Sequence, residues 1–228
     1  MRLRVVTYNV RGFRHGLDDV VEAVERLTPD VVLVQESGAR RKLRSLAAAT
    51  GMEVAGDPWS PLRRRVKNAV LVRPPWRVVQ HRLHRFEASA RFYPRGALVA
   101  QAGRAGRRIW AISTHLGLAP SERNAHAREL TDVCAGLSGA PIVLGGDLNA
   151  TPEQRAPGWL ADRYWDAWAT AGNAEGATFP ASDPTARIDY VFASTGLVVE
   201  AASVGKAPDA SDHLPVIAEL RIEDAAGA

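Results

Sequence analysis

The stretch PIVLGGDLNATP, residues 141–152, ends an apolar run in two glycines and then sets an acid and an amide two residues apart, Asp147 and Asn149. The same device recurs along the chain. Asn9 ends VVTYN, Glu36 ends VVLVQE, His115 ends WAISTH, Asp189 lies in RIDYVF, and Asp212 and His213 precede LPVIAEL. Taken singly, Asn, Asp and His at strand ends are turn and cap residues. Eight of them beside runs fit for burial point to one shared site, because a buried charge without partners is costly.

Carboxylates, amides and histidines in one place can hold a hard divalent cation, which takes oxygen ligands. Glu36 with Asn9 and Asp212 is a sparse oxygen set that leaves positions for water and substrate. Magnesium fits this set, and manganese is a close substitute. Zinc fits less well, since no cysteine accompanies these residues and no His-Glu-x-x-His occurs. Asp147 and Asn149 are expected to point to one face of an extended chain, because strand side chains alternate. Gly145 and Gly146 are expected to allow a close approach of backbone or substrate.

The elements that must position these groups follow from periodicity. LRVVTYNV reads as a first strand, and GLDDVVEAVERL as a helix with Leu17, Val20, Val21, Val24 and Leu27 on one face and Asp18 and Asp19 at its N-terminus. PDVVLVQE reads as a strand buried on both faces, and ARRKLRSLAAATG as a helix ending at Gly51. NAVLVRP, WRVVQHRLH, RGALVAQAG and RRIWAISTHL are strand-like, with AGRAGRR joining the last two as a hairpin. PSERNAHARELTDVCAGL is a helix with Ser121 as its expected cap. Strands follow at PIVLGGDL, RIDYVFAS, LVVEAASVG and HLPVIAELRI, and the segments between them read as long loops with helical turns. The order predicts α/β architecture, two mixed sheets packed together with helices outside. No composition shift marks a boundary, so one domain over residues 1–228 is expected.

The blocks TYNVRG, VQE, STHLGL, GGDLNATP, RIDYVF and SDHLPV, in this order, resemble the signature blocks of the endonuclease/exonuclease/phosphatase superfamily of metal-dependent phosphohydrolases. The resemblance runs from Thr7 to Val216. It implies a four-layer α/β sandwich of the DNase I type, with the site at the mouth between the sheets. It also implies a phosphodiesterase or nuclease reaction, with Mg²⁺ as cofactor.

By the same resemblance Glu36 is the principal metal ligand, with Asn9 and Asp212 beside it. Asp147 orients or deprotonates the attacking water, and Asn149 holds the nucleophile or a phosphate oxygen. His213 stabilises charge on the phosphate, Asp189 orients His213, and His115 binds a phosphate oxygen or assists the leaving group. YPRGALVA resembles a block in which the arginine, Arg95, edges the cleft, and NAVLV resembles a family strand that would bring Asn68 to the substrate. Glu87 is the nearest candidate for an acidic partner to His115.

Composition bounds the substrate less tightly. Residues 1–114 hold 22 Lys+Arg against 9 Asp+Glu, and residues 115–228 hold 7 against 16, so the sign of the charge reverses at mid-chain. The basic half is mostly arginine, which suits phosphate, or simply solvates exposed faces. The usual aromatic block before RID in AP endonucleases is replaced by ATFPASDPTARID, which counts against abasic-site repair. THLGLAPSERNAHAREL, with Glu122, Arg123 and His126, is similar to the small bacterial members. Nucleic acid and a small or lipid phosphodiester therefore remain alternative substrates, with an inositol-phosphatase type of monoesterase as a further one and a non-catalytic binding module as the remote one. Trp159, Trp165 and Trp168 would pack in the core or form a rim. The lone Cys134 excludes an internal disulfide and reads as buried packing. The start of the chain carries no apolar leader and no run long enough to span a bilayer, so a cytoplasmic protein is expected.

Overall fold

The two ends of the chain build one sheet and its middle builds another. In the computed structural model, which describes residues 1–57, 64–173, 176–207 and 209–223, the first sheet contains β1 (Arg2–Asn9), β2 (Val31–Gln35), β3 (Glu53–Gly56), β4 (Ala69–Val72), β11 (Leu197–Val204) and β12 (Val216–Ile222). Its order is β11-β12-β1-β2-β4-β3. The second contains β5 (Arg77–Arg85), β6 (Gly96–Arg104), β7 (Arg107–His115), β8 (Ile142–Asp147), β9 (Trp165–Asp166) and β10 (Asp189–Ala193), in the order β5-β6-β7-β8-β10-β9. Each sheet is mixed. β1 and β2 are parallel, as are β7 and β8, and the other pairings are antiparallel.

Alternation along the strands explains the layers. In β2, Val31 and Leu33 join Val70, Leu98, Ala111 and Val143 in the core between the sheets, while Val32 and Val34 turn outward onto Val20, Val24 and Leu46. Those last three belong to α1 (Leu17–Leu27) and α2 (Arg40–Ala49), which cover the first sheet. On the far side, α3 (Pro120–Ala135) and α4 (Arg155–Ala161) place Ala127, Leu130, Cys134 and Leu160 against Val99, Ile112 and Leu144. Burying both faces of each sheet gives the expected four-layer α/β sandwich.

Local expectations meet this frame with differences at β3 and at the start of α3. β3 was not foreseen, since EVAG is too short and polar to read as a strand; it forms because β4 supplies the pairing. Ser121 does not cap α3: Ala119 is the N-cap without a side-chain bond, and Pro120 opens the helix, where its missing N–H costs nothing. The loop before β10 contains α5 (Ala167–Ala171), whose first turn is capped by Asp166 accepting from Trp168 N–H at 2.9 Å. The hairpin between β6 and β7 turns at Ala105 and Gly106, both at positive φ.

The two glycines of β8 permit close packing of backbone. A Cβ on Gly146 would overlap the Thr114 carbonyl oxygen, and one on Gly145 would stand 2.8 Å from both Leu33 Cδ1 and the Tyr190 carbonyl oxygen. Below the end of β8, Gln35 Nε2 lies 3.1 Å from both Thr7 Oγ1 and Ser113 Oγ, and Ser113 donates to the Val34 carbonyl at 2.7 Å. This polar group joins the two sheets under the site. Among the described residues no helix is long and apolar enough to cross a membrane.

Candidate active site

Register brings the chemistry together. His115 ends β7 opposite Asp147 at the end of β8, and Asp189 begins β10 opposite the same Asp147. Three polar side chains thus stand side by side across adjacent strands, on the edge where β1 and β2 of the facing sheet also end. There Asn9 pairs with Gln35, and Glu36 follows one residue later. A cleft of about 380 Å³ opens at this edge, lined by Asn9, Glu36, Arg95, His115, Asp147 and Asn149, with Asp212 and His213 completing it.

Asp147 is fully enclosed by donors. Its Oδ2 accepts from Asn9 Nδ2 at 3.0 Å and lies 3.2 Å from His115 Nε2 and 3.7 Å from His213 Nε2. Its Oδ1 accepts the Asn149 backbone N–H at 2.9 Å. Burial by itself would raise this carboxyl, but His115, His213 and the Asn149 amide override it and hold the group well below the usual carboxylate range. Asn149 reaches the site by a route other than strand alternation. It has φ +50°, so the chain leaves the extended region after Asp147 and turns back on the aspartate side chain, a conformation Asn tolerates. Its Nδ2 donates to the Leu116 carbonyl at 3.0 Å and lies 3.1 Å from His115 Nε2.

Asp189 and His213 form the second buried unit. His213 Nδ1 is 2.9 Å from Asp189 Oδ2, and Thr178 Oγ1 donates to that same oxygen at 2.6 Å. Burial opposes the imidazolium, yet Asp189 and then Asp147 overcome it and raise His213 to about 9. Burial raises the Asp189 carboxyl, whose Oδ1 is buried without a partner. The loop carrying His213 is pinned by Ser211 Oγ donating to the Asn9 carbonyl at 2.6 Å and by Leu214 N–H donating to the Thr178 carbonyl at 2.8 Å.

Two donor sets could take a metal ion. Ligand atoms of Asp147, Asp189 and His213 lie within 4.8 Å of one another. Asn9, Glu36 and Asp212 offer oxygens from the opposite wall of the cleft. Glu36 has φ +50°, a conformation that costs an acidic residue of this length about 1 kcal/mol or more and that clusters at functional sites. Asp212 Oδ2 is 3.1 Å from Arg11 Nε, and Asn9 Oδ1 accepts the Arg11 N–H at 3.0 Å.

The remaining candidates separate. Arg95 is at the cleft, with Nη1 2.6 and 2.8 Å from the two ring nitrogens of His115. Asn68 uses its amide hydrogens on the Gly96 and Ser113 carbonyls at 2.8 and 3.1 Å, which ties β4 to the second sheet and leaves no amide donor for a substrate. Glu87 is not the partner of His115: its N–H is bound by Glu129 of α3 at 3.1 Å, and Asp147 takes the place beside the imidazole. Trp159, Trp165 and Trp168 do not line the cleft. Cys134 is buried, and burial pushes its thiol up to about 12. Sequence reasoning missed Arg11 and Arg14, which line the cleft from the turn after β1; their place in TYNVRGFR was the available signal.

The comparisons agree with this architecture. The chain matches the model of the endonuclease/exonuclease/phosphatase family over residues 6–213. No curated protein matches it in a sequence search. Among solved structures it is similar to the endonuclease/exonuclease/phosphatase from Bacteroides vulgatus, with a TM-score of 0.84, 19% identity and coverage of 98% of this chain and 100% of that one. A mannosyl-6-phosphatase from Bacteroides thetaiotaomicron gives 0.81 at 19% identity, covering 96% and 100%. Truncated TDP2 from Caenorhabditis elegans gives 0.75 at 21%, covering 96% and 97%. At such identities the neighbours speak to the fold alone. The family match spans most of the chain, and the protein belongs to the endonuclease/exonuclease/phosphatase family of phosphoesterases.

Proposed function

We propose that the protein hydrolyses a phosphodiester by in-line attack of water on phosphorus, with Mg²⁺ or Mn²⁺ held by Asn9, Glu36 and Asp212. The observation that carries this reading is the register that sets Asp147 between His115 and Asp189, with Asn9 of the other sheet closing on the same carboxylate. The Glu36 carboxylate makes no ion pair or side-chain hydrogen bond among the described residues, and it lines the cleft. A cleft-facing carboxylate beside an amide and a second acid fits a hard cation. The alternative set of Asp147, Asp189 and His213 fits poorly, because its atoms already bond one another and His213 carries a proton up to about 9. A bound cation would supply neutralisation of charge on the phosphate oxygens.

The chain's own groups then have separate tasks. Asp147 stays ionised, and its depressed basicity suits orienting the water and taking its proton only as the new P–O bond forms. Asn149 and Arg95 offer donors to the phosphate oxygens, and protonated His213, held by Asp189, donates from Nε2 to charge that develops in the transition state. His115, next to Asp147, Asn149 and Arg95, is the group placed to assist the leaving oxygen.

The test is hydrolysis of bis-p-nitrophenyl phosphate, with p-nitrophenyl phosphate as the monoester control, under Mg²⁺, Mn²⁺ or chelator. Diester hydrolysis abolished by chelator and inversion at a chiral phosphorothioate are expected. Net retention would overturn direct attack by water, and a preference for the monoester would overturn the diesterase assignment.

A further inference from the structure

Glu122, Arg123 and His126, near the start of α3, take no part in the chemistry proposed above, yet two of them bond the segment that follows His115. Arg123 Nη1 donates to the Leu118 carbonyl, and His126 Nδ1 accepts the Gly117 N–H at 3.2 Å. The His126 ring is fully buried and stacks on Phe86, with ring centres 4.5 Å apart. A backbone N–H can only donate, so Nδ1 is unprotonated and the neutral ring carries its hydrogen on Nε2. That nitrogen is buried without a hydrogen bond, 4.0 Å from Glu122 Oε1. Burial lowers the pKa of the ring against Glu122, the Ala88 carbonyl and Glu129, which raise it.

An apolar ring would fill this place without burying an unpaired nitrogen, which is costly. What the histidine supplies instead is an acceptor. The Gly117 N–H belongs to the same peptide group as the Leu116 carbonyl, and that group is planar. The Leu116 carbonyl accepts Asn149 Nδ2 at 3.0 Å. One peptide is thus held at both ends, by His126 from α3 and by Asn149 from the cleft, while the Leu116 N–H donates to the Asp147 carbonyl at 3.0 Å. The Asn149 amide is planar as well. With one of its two hydrogens on Leu116, the direction of the other is set, and Nδ2 lies 3.1 Å from His115 Nε2 in the cleft. Rotation of the 116–117 peptide would withdraw the carbonyl and free the amide to turn.

We propose that His126 is a positioning residue for the reaction: through the Leu116–Gly117 peptide it fixes the side-chain amide of Asn149, so that the second amide hydrogen stays in the cleft beside His115, where the phosphate binds. Its action is indirect, since His126 itself does not line the cleft. The inference rests on the hydrolytic reading of that cleft and on Asn149 as a donor to phosphate.

Two substitutions separate the acceptor from the packing. His126→Phe keeps an aromatic ring against Phe86 and removes the acceptor, whereas His126→Asn gives up the ring and sets an amide oxygen near the place of Nδ1. With bis-p-nitrophenyl phosphate and Mn²⁺, kcat is expected to fall by about 10–100-fold in His126→Phe, the scale of a misplaced reacting geometry, with KM within about twofold. In His126→Asn kcat is expected to stay within about threefold of the wild type, although its thermal unfolding midpoint lies below that of His126→Phe. Unchanged kcat in His126→Phe, or an equal loss in His126→Asn, overturns the proposal. The ¹H–¹⁵N spectrum of the side-chain amides reads the coupling without turnover. The Asn149 pair of signals, identified by its loss in Asn149→Asp, is expected to move in His126→Phe and to hold its place in His126→Asn; an unmoved pair in His126→Phe overturns the proposal. In the wild type, a long-range ¹H–¹⁵N spectrum is expected to show His126 with its hydrogen on Nε2, and a hydrogen on Nδ1 overturns the proposal without any variant. Absence of hydrolysis by the wild type, with the spectra as expected, overturns the hydrolase and leaves the coupling of His126 to Asn149 standing.

Discussion

Asn9 Nδ2 donates to Asp147 Oδ2 across 3.0 Å, and this hydrogen bond joins the end of the first sheet to the end of the second. The two residues lie in strands that never pair with each other. The contact exists because both sheets terminate at one edge, and it couples the proposed cation wall to the proposed nucleophile wall.

Asp147→Asn keeps the shape of the side chain but replaces an acceptor by a donor facing Asn9 or His115. We expect kcat to fall by about 10³-fold, with the thermal unfolding midpoint near that of the wild type. Steady-state kinetics beside circular dichroism checks this; near-wild-type turnover would remove Asp147 from the reaction.

Glu36→Gln should chiefly raise the cation requirement. Half-saturating Mn²⁺ is expected to rise by about tenfold or more, read from rate against metal concentration and, without turnover, from calorimetric Mn²⁺ binding. Unchanged Mn²⁺ affinity would place the cation elsewhere.

His213 links pH to both activity and stability. Its folded pKa is raised to about 9 from 6.5, so the stability it contributes is fully present below about 6.5 and is lost as pH rises through about 9. The rate should fall on the alkaline side with a midpoint near 9. Removing the carboxylate in Asp189→Asn should move that midpoint down toward neutrality. A pH–rate profile of the two proteins decides it, and identical alkaline limbs would refute the assignment.

Gly146→Ala should destabilise without touching a reacting group. The new methyl meets the Thr114 carbonyl oxygen, so β7 and β8 must shift apart. A loss of about 1–3 kcal/mol is expected, measured by urea unfolding; full stability would mean that the strands yield more easily than close packing allows.

The sequence by itself determined the layers and named the polar residues. Apolar runs such as Val31–Gln35, alternation onto two faces, the helical spacing of Leu17 to Leu27 and the turn at Ala105–Gly106 are local properties, readable from a few neighbours. So was the recurrence of Asn9, Glu36, His115, Asp147, Asp189 and His213 at the ends or beginnings of such runs. The tertiary structure alone decided how they meet. The pairing of His115 with Asp147 and of Asp147 with Asp189 is a matter of register between distant strands, which the period of any one strand leaves open. The left-handed turns at Glu36 and Asn149 replace the simple alternation that two-residue spacing suggests. Arg65 and Lys67 belong to the basic run RRRVK, whose place in the fold the sequence leaves open. Only their packing against Gly38 and Tyr93 turns them into a cationic wall beside the cleft, because burial is a property of the fold and not of the run.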